Sequence, residues 1–394
     1  MGVYKTESHT LSDPAVRLVR ESDIPAVTNL FKLNYGNDYP FPEVYDGGWV
    51  KRIVYTDGII CVVLEEGGEV IGIGALNLDY GDYNDQIGEL ARLVVHPLYT
   101  GRGAGRRVIA ALFEAAQDHV EFAIGEARTA HAYSQKMVER AGFTVVGFIP
   151  HYYKLHERGE SLVTYAKLHG NGQDLRSNNP PQIIPEVVPL ARHVLSTMGL
   201  PGRLAVVEGC EPYPVNGLYT TQPMDRLALS MLARIKHGRL VEPLLFGGIS
   251  LDQGYSLIRR RNAVYLMAVD ENNKPMGAVG FQEDRMSHIV KGVEMIGKEH
   301  DLRGLLCGSL LRAAGELGAD VIEVNVSAYD PRLQQTFYDL GFRPVAYGPA
   351  MVFHKIERLD VVKMHKLNVP YEPDEMELTE SAKAVVSIVK DGFL

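Results

Sequence analysis

Between an apolar run, Leu93-Val94-Val95, and a helical stripe of Val108, Ile109, Leu112, Phe113 and Ala116, the chain carries glycine at three alternate positions, Gly101, Gly103 and Gly105. That pattern suits an anion. The first amides of a helix lack intrahelical acceptors and sit at the positive end of the helix dipole, so a phosphate placed there is held by both. Glycine lets the backbone approach such a group, and Arg102, Arg106 and Arg107 add positive charge around it. The same glycines equally suit a turn that only caps a helix. Two other phosphate loops are excluded, because no Gly-Lys-Ser/Thr follows and the spacing is G-x-G-x-G rather than G-x-G-x-x-G.

The segment resembles the GNAT superfamily of acyl-CoA-dependent N-acyltransferases, whose pyrophosphate loop reads Gln/Arg-x-x-Gly-x-Gly/Ala and here spans Thr100 to Gly105. Val95-His96-Pro97-Leu98-Tyr99 before the loop and Glu139-Arg140-Ala141-Gly142-Phe143 after it carry the same likeness. The resemblance implies an α/β fold, acetyl-CoA or another acyl-CoA as co-substrate, no metal, and direct attack by an amine in a ternary complex. It places Thr100, Gly101, Arg102, Gly103, Ala104, Gly105 and Arg106 at the pyrophosphate, and the backbone of Leu93, Val94 and Val95 at the thioester carbonyl. Two residues depart from the pattern. Thr100 stands in the Gln/Arg position, and Val138 stands where many members carry a tyrosine that protonates the departing thiolate. The family often uses a glutamate near this strand, and Glu89 precedes Ala91 and Leu93 by even steps, which puts it on their face as a candidate base. A carboxylate of ordinary pKa, about 4.3, needs burial to act as a base near neutrality, and an exposed strand-end carboxylate is an equally ordinary reading. Tyr133, the nearest tyrosine on the helix before Gly142, is either the acid or a packing aromatic, and His96 beside Pro97 reads as structural.

The elements that must position these residues follow from periodicity. A strand from Val16 is followed by a helix opened by Ser22 or Asp23 with Pro25 in its first turn, and by a helical stretch over 44–54. Residues 59–64 and 70–76 around Gly67-Gly68 form a hairpin. Beyond the glycine loop and its helix, 122–128, 145–149 and 162–168 read as strands and 132–141 as a helix. Residues 171–181, ending in Pro180-Pro181, read as a linker. Three landmarks then recur about 200 residues downstream: 274–281 parallels the strand at 70–76, Arg303-Gly304-Leu305-Leu306-Cys307-Gly308 parallels the glycine loop, and Tyr338-Asp339-Leu340-Gly341-Phe342 parallels 138–143. In this second copy Leu306 replaces the glycine of Gly103 and crowds a phosphate path. Arg303 and Tyr338 occupy the basic and acid positions that the first copy lacks, with Tyr338 a relic, a core residue or an acid. The expected fold class is α/β with two tandem GNAT-like mixed-sheet domains. They are an acyltransferase domain at 1–170, a linker and connecting segment at 171–199, a degenerate domain at 200–356 and a tail at 357–394 whose amphipathic helix, 381–390, docks on a domain or a second subunit.

Composition bounds the partners. The 394 residues carry 49 acidic against 40 basic side chains, a net charge of −9, without a basic block interleaved with aromatics, so nucleic acid is not an expected partner. Arg259-Arg260-Arg261 reads as the cationic end of a helix. No apolar run approaches the roughly 20 residues that span a bilayer, and the N-terminus lacks a signal-peptide core, so the expectation is a soluble, cytoplasmic protein. Cys61, Cys210 and Cys307 are scattered, which argues against disulfides or structural zinc, and Cys61 and Cys307 read as packing residues. The stretches 34–42 and 80–85, rich in tyrosine and aspartate, suit a cationic acceptor. The function expected is N-acyl transfer, most simply N-acetyl transfer, to a small-molecule or peptide amine. The alternative is a noncatalytic acyl-CoA-binding sensor or partner-binding protein, and a homo-oligomer is left open.

Overall fold

A strand that is apolar on both faces has to be covered twice, and Ile59–Glu66 (β2) and Glu69–Asn77 (β3) form a hairpin of two such strands. The computed structural model describes residues 14–37, 39, 42–78, 86–117, 120–155, 158–215, 217–224, 234, 235, 244–246, 263–285, 287–371 and 375–393. In it Cys61, Val63, Ile73 and Ala75 face the core under helices Ile24–Tyr35 (α1) and Gly47–Val54 (α2). Val62, Leu64, Ile71 and Leu76 face the opposite core with Val108 and Leu112 of Ala104–Ala115 (α3). The expected helical stretch at 44–54 is split: Pro42–Tyr45 is a 3-10 turn, and Asp46 accepts from the Gly48 amide to cap α2. The Arg259–Arg261 cluster and the 80–85 stretch lie outside the described residues. Among the described residues no helix is long and apolar enough to cross a membrane.

Ala15–Leu18 (β1), β2, β3, Gln86–Val95 (β4), Val120–Arg128 (β5), Thr144–Leu155 (β6) and Arg158–Leu168 (β7) pair in the order β1-β2-β3-β4-β5-β7-β6. Only β4 and β5 run parallel among these pairs, joined by the α3 crossover. Ala132–Arg140 (α4) separates β5 from β6. Gln182–Ile183 (β8) and Ala205–Val206 (β9) form a small separate sheet flanking Val188–Thr197 (α5).

The second half repeats this order. Its elements are Thr220–Pro223 (β10), Leu245–Phe246 (β11), Ala263–Val269 (β12), Pro275–Asp284 (β13), Ile289–Gly297 (β14), Leu302–Glu316 (α6), Val321–Ser327 (β15), Pro331–Asp339 (α7), Arg343–His354 (β16), Glu357–Leu367 (β17) and Glu380–Lys390 (α8). They pair as β10-β12-β13-β14-β15-β17-β16, with β11 on β15, and β16 meets β6 edge to edge so that one sheet crosses the molecule. A single lateral row shows the relation: Glu126, Thr164 and Gly147 on one side of the seam face Ala346, Lys363 and Asn325 on the other, each residue 199 positions from its counterpart. Both seam strands are kinked, with His151 and Ala350, again 199 apart, at φ of 52°.

That offset corrects two readings of the second copy. It pairs Gly142 with Gly341 and Val138 with the buried Phe337, so Tyr338 matches Glu139 and not the acid position; its ring lies 4.4 Å from the Arg343 guanidinium. Residues 303–308 lie in the first two turns of α6 rather than in a loop. The Arg303 guanidinium donates to Tyr213 Oη at 2.6 Å and Asp330 Oδ2 at 2.9 Å, and a Cβ on Gly304 would lie 2.3 Å from Pro214 O. The chain itself, at Tyr213-Pro214-Val215, therefore lies against the first turns of this helix.

At the seam a Cβ on Gly147 would lie 2.2 Å from Ala346 Cβ and 2.6 Å from Val345 O, so only glycine allows β6 this close to β16. Gly147→Val should lower stability by about 1–3 kcal/mol or more, the range for overpacking a tight contact. A urea midpoint unchanged from the parent would show that the seam tolerates separation.

Candidate active site

β4 and β5 are paired only from Gln86↔Val120 to Leu90↔Gly125. Beyond that point β4 stays on β3 and β5 stays on β7, and the two parallel strands part. The opening is a cleft of about 270 Å³, lined by Glu89 to Leu93 of β4, Gly125 to Arg128 of β5, His131, Ser134, Met137 and Val138, with Tyr35, Tyr39 and Asn77 on the far wall.

A bulge aims the open edge. Ile73 pairs with Val94 and Ala75 with Ala91, so Arg92 and Leu93 together oppose Gly74. Arg92 takes a φ of 52°, unfavourable for a long side chain. Its guanidinium is held 4.7 Å from the Trp49 ring and donates to Asn77 Oδ1 at 3.2 Å. The His96 amide donates to Ile71 O on β3, and strand alternation turns the Val94 amide the same way. The amides of Leu93 and Val95 therefore face the edge that β5 has vacated. Of the three strand residues expected at a ligand, Val94 points its amide at β3 and buries its side chain under α1 and α2.

The edge leads into the glycine loop. His96 Nδ1 accepts from the Leu98 amide at 3.2 Å and the Thr100 hydroxyl donates to Pro97 O at 2.8 Å, so both side chains are used to fix the 3-10 turn Pro97–Tyr99. Gly101 and Gly103 have φ of 79° and 81°, and no atom lies within 4 Å of a Cβ built on Gly101. Gly103 caps α3, leaving the first-turn amides at Ala104, Gly105 and Arg106 without intrahelical acceptors. The Arg106 guanidinium reaches to 3.8 Å of a Cβ on Gly103, and Arg102 lies 5.7 Å from the Tyr99 ring. Gly105 has a different reason to be glycine: its Cβ would fall 2.3 Å from Met137 Sδ, so it serves the contact of α3 with α4.

Two carboxylates lie on the parted strands. Glu89 Oε2 accepts from Asn77 Nδ2 at 2.8 Å. Burial pushes the Glu126 carboxyl up to about 7, against the pull of Lys363 and Lys291 across the seam and with the help of the neighbouring Glu89 charge. Sequence reasoning passed over Glu126, although it is the one charged residue in Phe122-Ala123-Ile124-Gly125-Glu126-Ala127. Tyr133 is 51% exposed and outside the cleft lining; in its place Ser134 lines the cleft from α4, its buried Oγ without a hydrogen-bond partner among the described residues. Burial pushes the Cys61 thiol up to about 12, in keeping with a packing role. In the second half Asn325 replaces Glu126, and the matching register puts Lys291 where Glu89 stands. Lys291 donates to Tyr152 Oη at 2.8 Å, so that half lacks the carboxylate pair.

Residues 24–143 match the family model described as Acetyltransferase (GNAT) family. No curated protein matches the chain. Solved structures that overlap it include yncA from Salmonella typhimurium with its cofactor acetyl-CoA, at 20% identity over 39% of this chain and 93% of that one with a TM-score of 0.35. The ribosomal-protein-alanine N-acetyltransferase of Brucella melitensis overlaps at 22% identity over 39% and 99%, TM-score 0.35. Arabidopsis thaliana NAA60, in complex with a bisubstrate analogue, overlaps at 13% identity over 40% and 98%, TM-score 0.35.

Because Glu126 is neutral in the fold up to about pH 7 and ionises near 4.5 when unfolded, its stabilising contribution is complete below pH 4.5 and is lost as pH rises through 7. Glu126→Gln should therefore melt with the parent at pH 4.5, above it at pH 6, and by a constant larger margin from pH 7.5 upward. Parallel melting curves across that range would contradict a raised carboxyl.

Proposed function

Taking residues 24–143 as an acetyltransferase domain of the GNAT family, we propose that this protein moves an acetyl group from acetyl-CoA to a primary amine at the β4/β5 cleft, with one active site per chain. The observation that carries the reading is a strand edge, freed by the parting of β4 and β5, that runs from two carboxylates into an open glycine cradle. Acetyl-CoA supplies the activated thioester. The amides from Gly101 to Arg106 and the Arg106 guanidinium hold its pyrophosphate, and Gly101, with no neighbour at its Cβ position, leaves the room this requires.

The Leu93 amide, fixed by the bulge, donates to the thioester oxygen as charge develops on it, an interaction commonly worth a few kcal/mol. Glu89 and the Tyr35 and Tyr39 rings receive the acceptor as its ammonium form. Glu126, poised near neutrality, takes the proton that the amine must lose. The Ser134 hydroxyl, on the wall where Val138 replaces a tyrosine, donates a hydrogen bond to the departing sulfur, which leaves as a thiolate and takes its proton from solvent. The second half has Lys291 and Asn325 in place of the carboxylates and its own chain against α6, so its role is to support the first.

Calorimetric titration with acetyl-CoA should give one site per chain, and thiol release against a panel of amines should identify the acceptor. Gly101→Glu should abolish binding; an unchanged affinity would remove the cradle from consideration. Glu126→Gln should lower kcat by about a hundredfold or more and flatten the rise of rate through pH 7. Lys363→Met should shift that rise to higher pH, because it deletes a cation that favours the Glu126 carboxylate. Binding without turnover of any amine would favour the sensor reading.

A further inference from the structure

The corner that turns β5 into α4 forms one wall of the cleft, and its backbone is held from the far end of the chain. Gln135, fully buried, donates from Nε2 to Arg128 O at 3.2 Å and to Glu377 O at 2.9 Å, and its Oε1 accepts from the Thr379 amide at 3.1 Å. The Glu377 amide donates in turn to Thr129 O at 2.8 Å, and the Thr379 hydroxyl bonds Glu139 while accepting from the Ala382 amide to cap α8. β5 loses β4 as a neighbour after Gly125, so the carbonyls at the end of the strand need donors from elsewhere. Gln135 and residues 377–379 provide them.

The second half contains the same device. Gln334, 199 positions from Gln135 and also fully buried, donates to Ser327 O at 3.0 Å and Gln182 O at 3.1 Å, and accepts from the Ile184 amide at 3.2 Å. Each half thus binds the arm that trails the other: the segment before α5 docks on the second half, and the segment before α8 docks on the first. We propose that Gln135, locked by the C-terminal arm at Glu377–Thr379, is a positioning residue for the cleft, so that the last twenty or so residues set the geometry of an active site lying more than 240 positions earlier. This rests on the acetyltransferase reading above. Loss of either partner leaves buried polar groups unpaired, which is why the lock is rigid.

The paired glutamines make the test, on the full-length chain. Gln135→Met and Gln334→Met remove equivalent bonds and should lower the melting temperature alike. Only Gln135→Met should lower kcat, by about tenfold to a hundredfold, the cost of a displacement near 1 Å, with acetyl-CoA affinity unchanged and amide exchange accelerated over residues 128–135. Equal losses of kcat in both variants, or a parental kcat in Gln135→Met, would overturn the proposal. If Gln135→Met does not fold, Glu377→Pro, which removes the amide bonded to Thr129 O, is read in the same way. Should the parent turn over no amine, the acetyltransferase reading fails by itself, and hydrogen exchange still decides. Protection at 128–135 lost in Gln135→Met and kept in Gln334→Met supports the lock, and equal exchange in both refutes it.

Discussion

Two parallel strands that begin as neighbours and end apart set the terms for everything else in this molecule. A strand edge with unpaired amides is costly inside a protein unless water or a ligand meets it. Here the edge of β4 beyond Leu90 is left open by β5, because β5 continues along β7 while β4 follows β3 through a bulge, and the two strands diverge. The bulge forces Arg92 into a left-handed conformation, and that strain is stabilised by Trp49 and Asn77. The open edge is therefore a product of pairing on either side of it.

The second half shares the strand order and not the chemistry. A constant offset relates the rows that cross the seam, yet at the positions of Glu89 and Glu126 it carries Lys291 and Asn325. The buried Glu323 is held far below the ordinary carboxylate range beside Lys363 and Lys291, with His365 Nε2 2.8 Å from its Oε2. Lys363 and Lys291 also reach Glu126, so the second half influences the cleft electrostatically as well as through the exchanged arms. Arg358, almost fully buried, adds a tie across the seam by pairing with Glu121 at 2.9 Å.

Much of the first half was legible in the chain because its signals are local. The hairpin at Gly67-Gly68, the strand stopped by Pro97, the glycines at 101 and 103 and the Gly142-Phe143 helix end each depend on a few adjacent residues. The repeat at about 200 residues was legible for the same reason: Gly142-Phe143 and Gly341-Phe342 are 199 apart, strand pairing carries that offset across the seam, and Tyr338 lies one position from the acid position. Residues 303–308 look like a loop in sequence and are helix, since Arg303 finds partners in Tyr213 and Asp330 that are distant in the chain.

By itself, then, the sequence determined the elements and the glycine loop that caps α3, because helix capping, turn chemistry and apolar periodicity act over neighbouring residues. Tertiary structure decided which carboxylate is tuned: Glu126 is raised by burial between strands against the pull of Lys363 and Lys291, more than a hundred residues away, and neither effect has a local signature. It decided that a side chain at Gly105 would collide with Met137. It also decided that Gln135 and Gln334 hold each other's trailing arms, because a buried amide finds its partners only once the halves have packed.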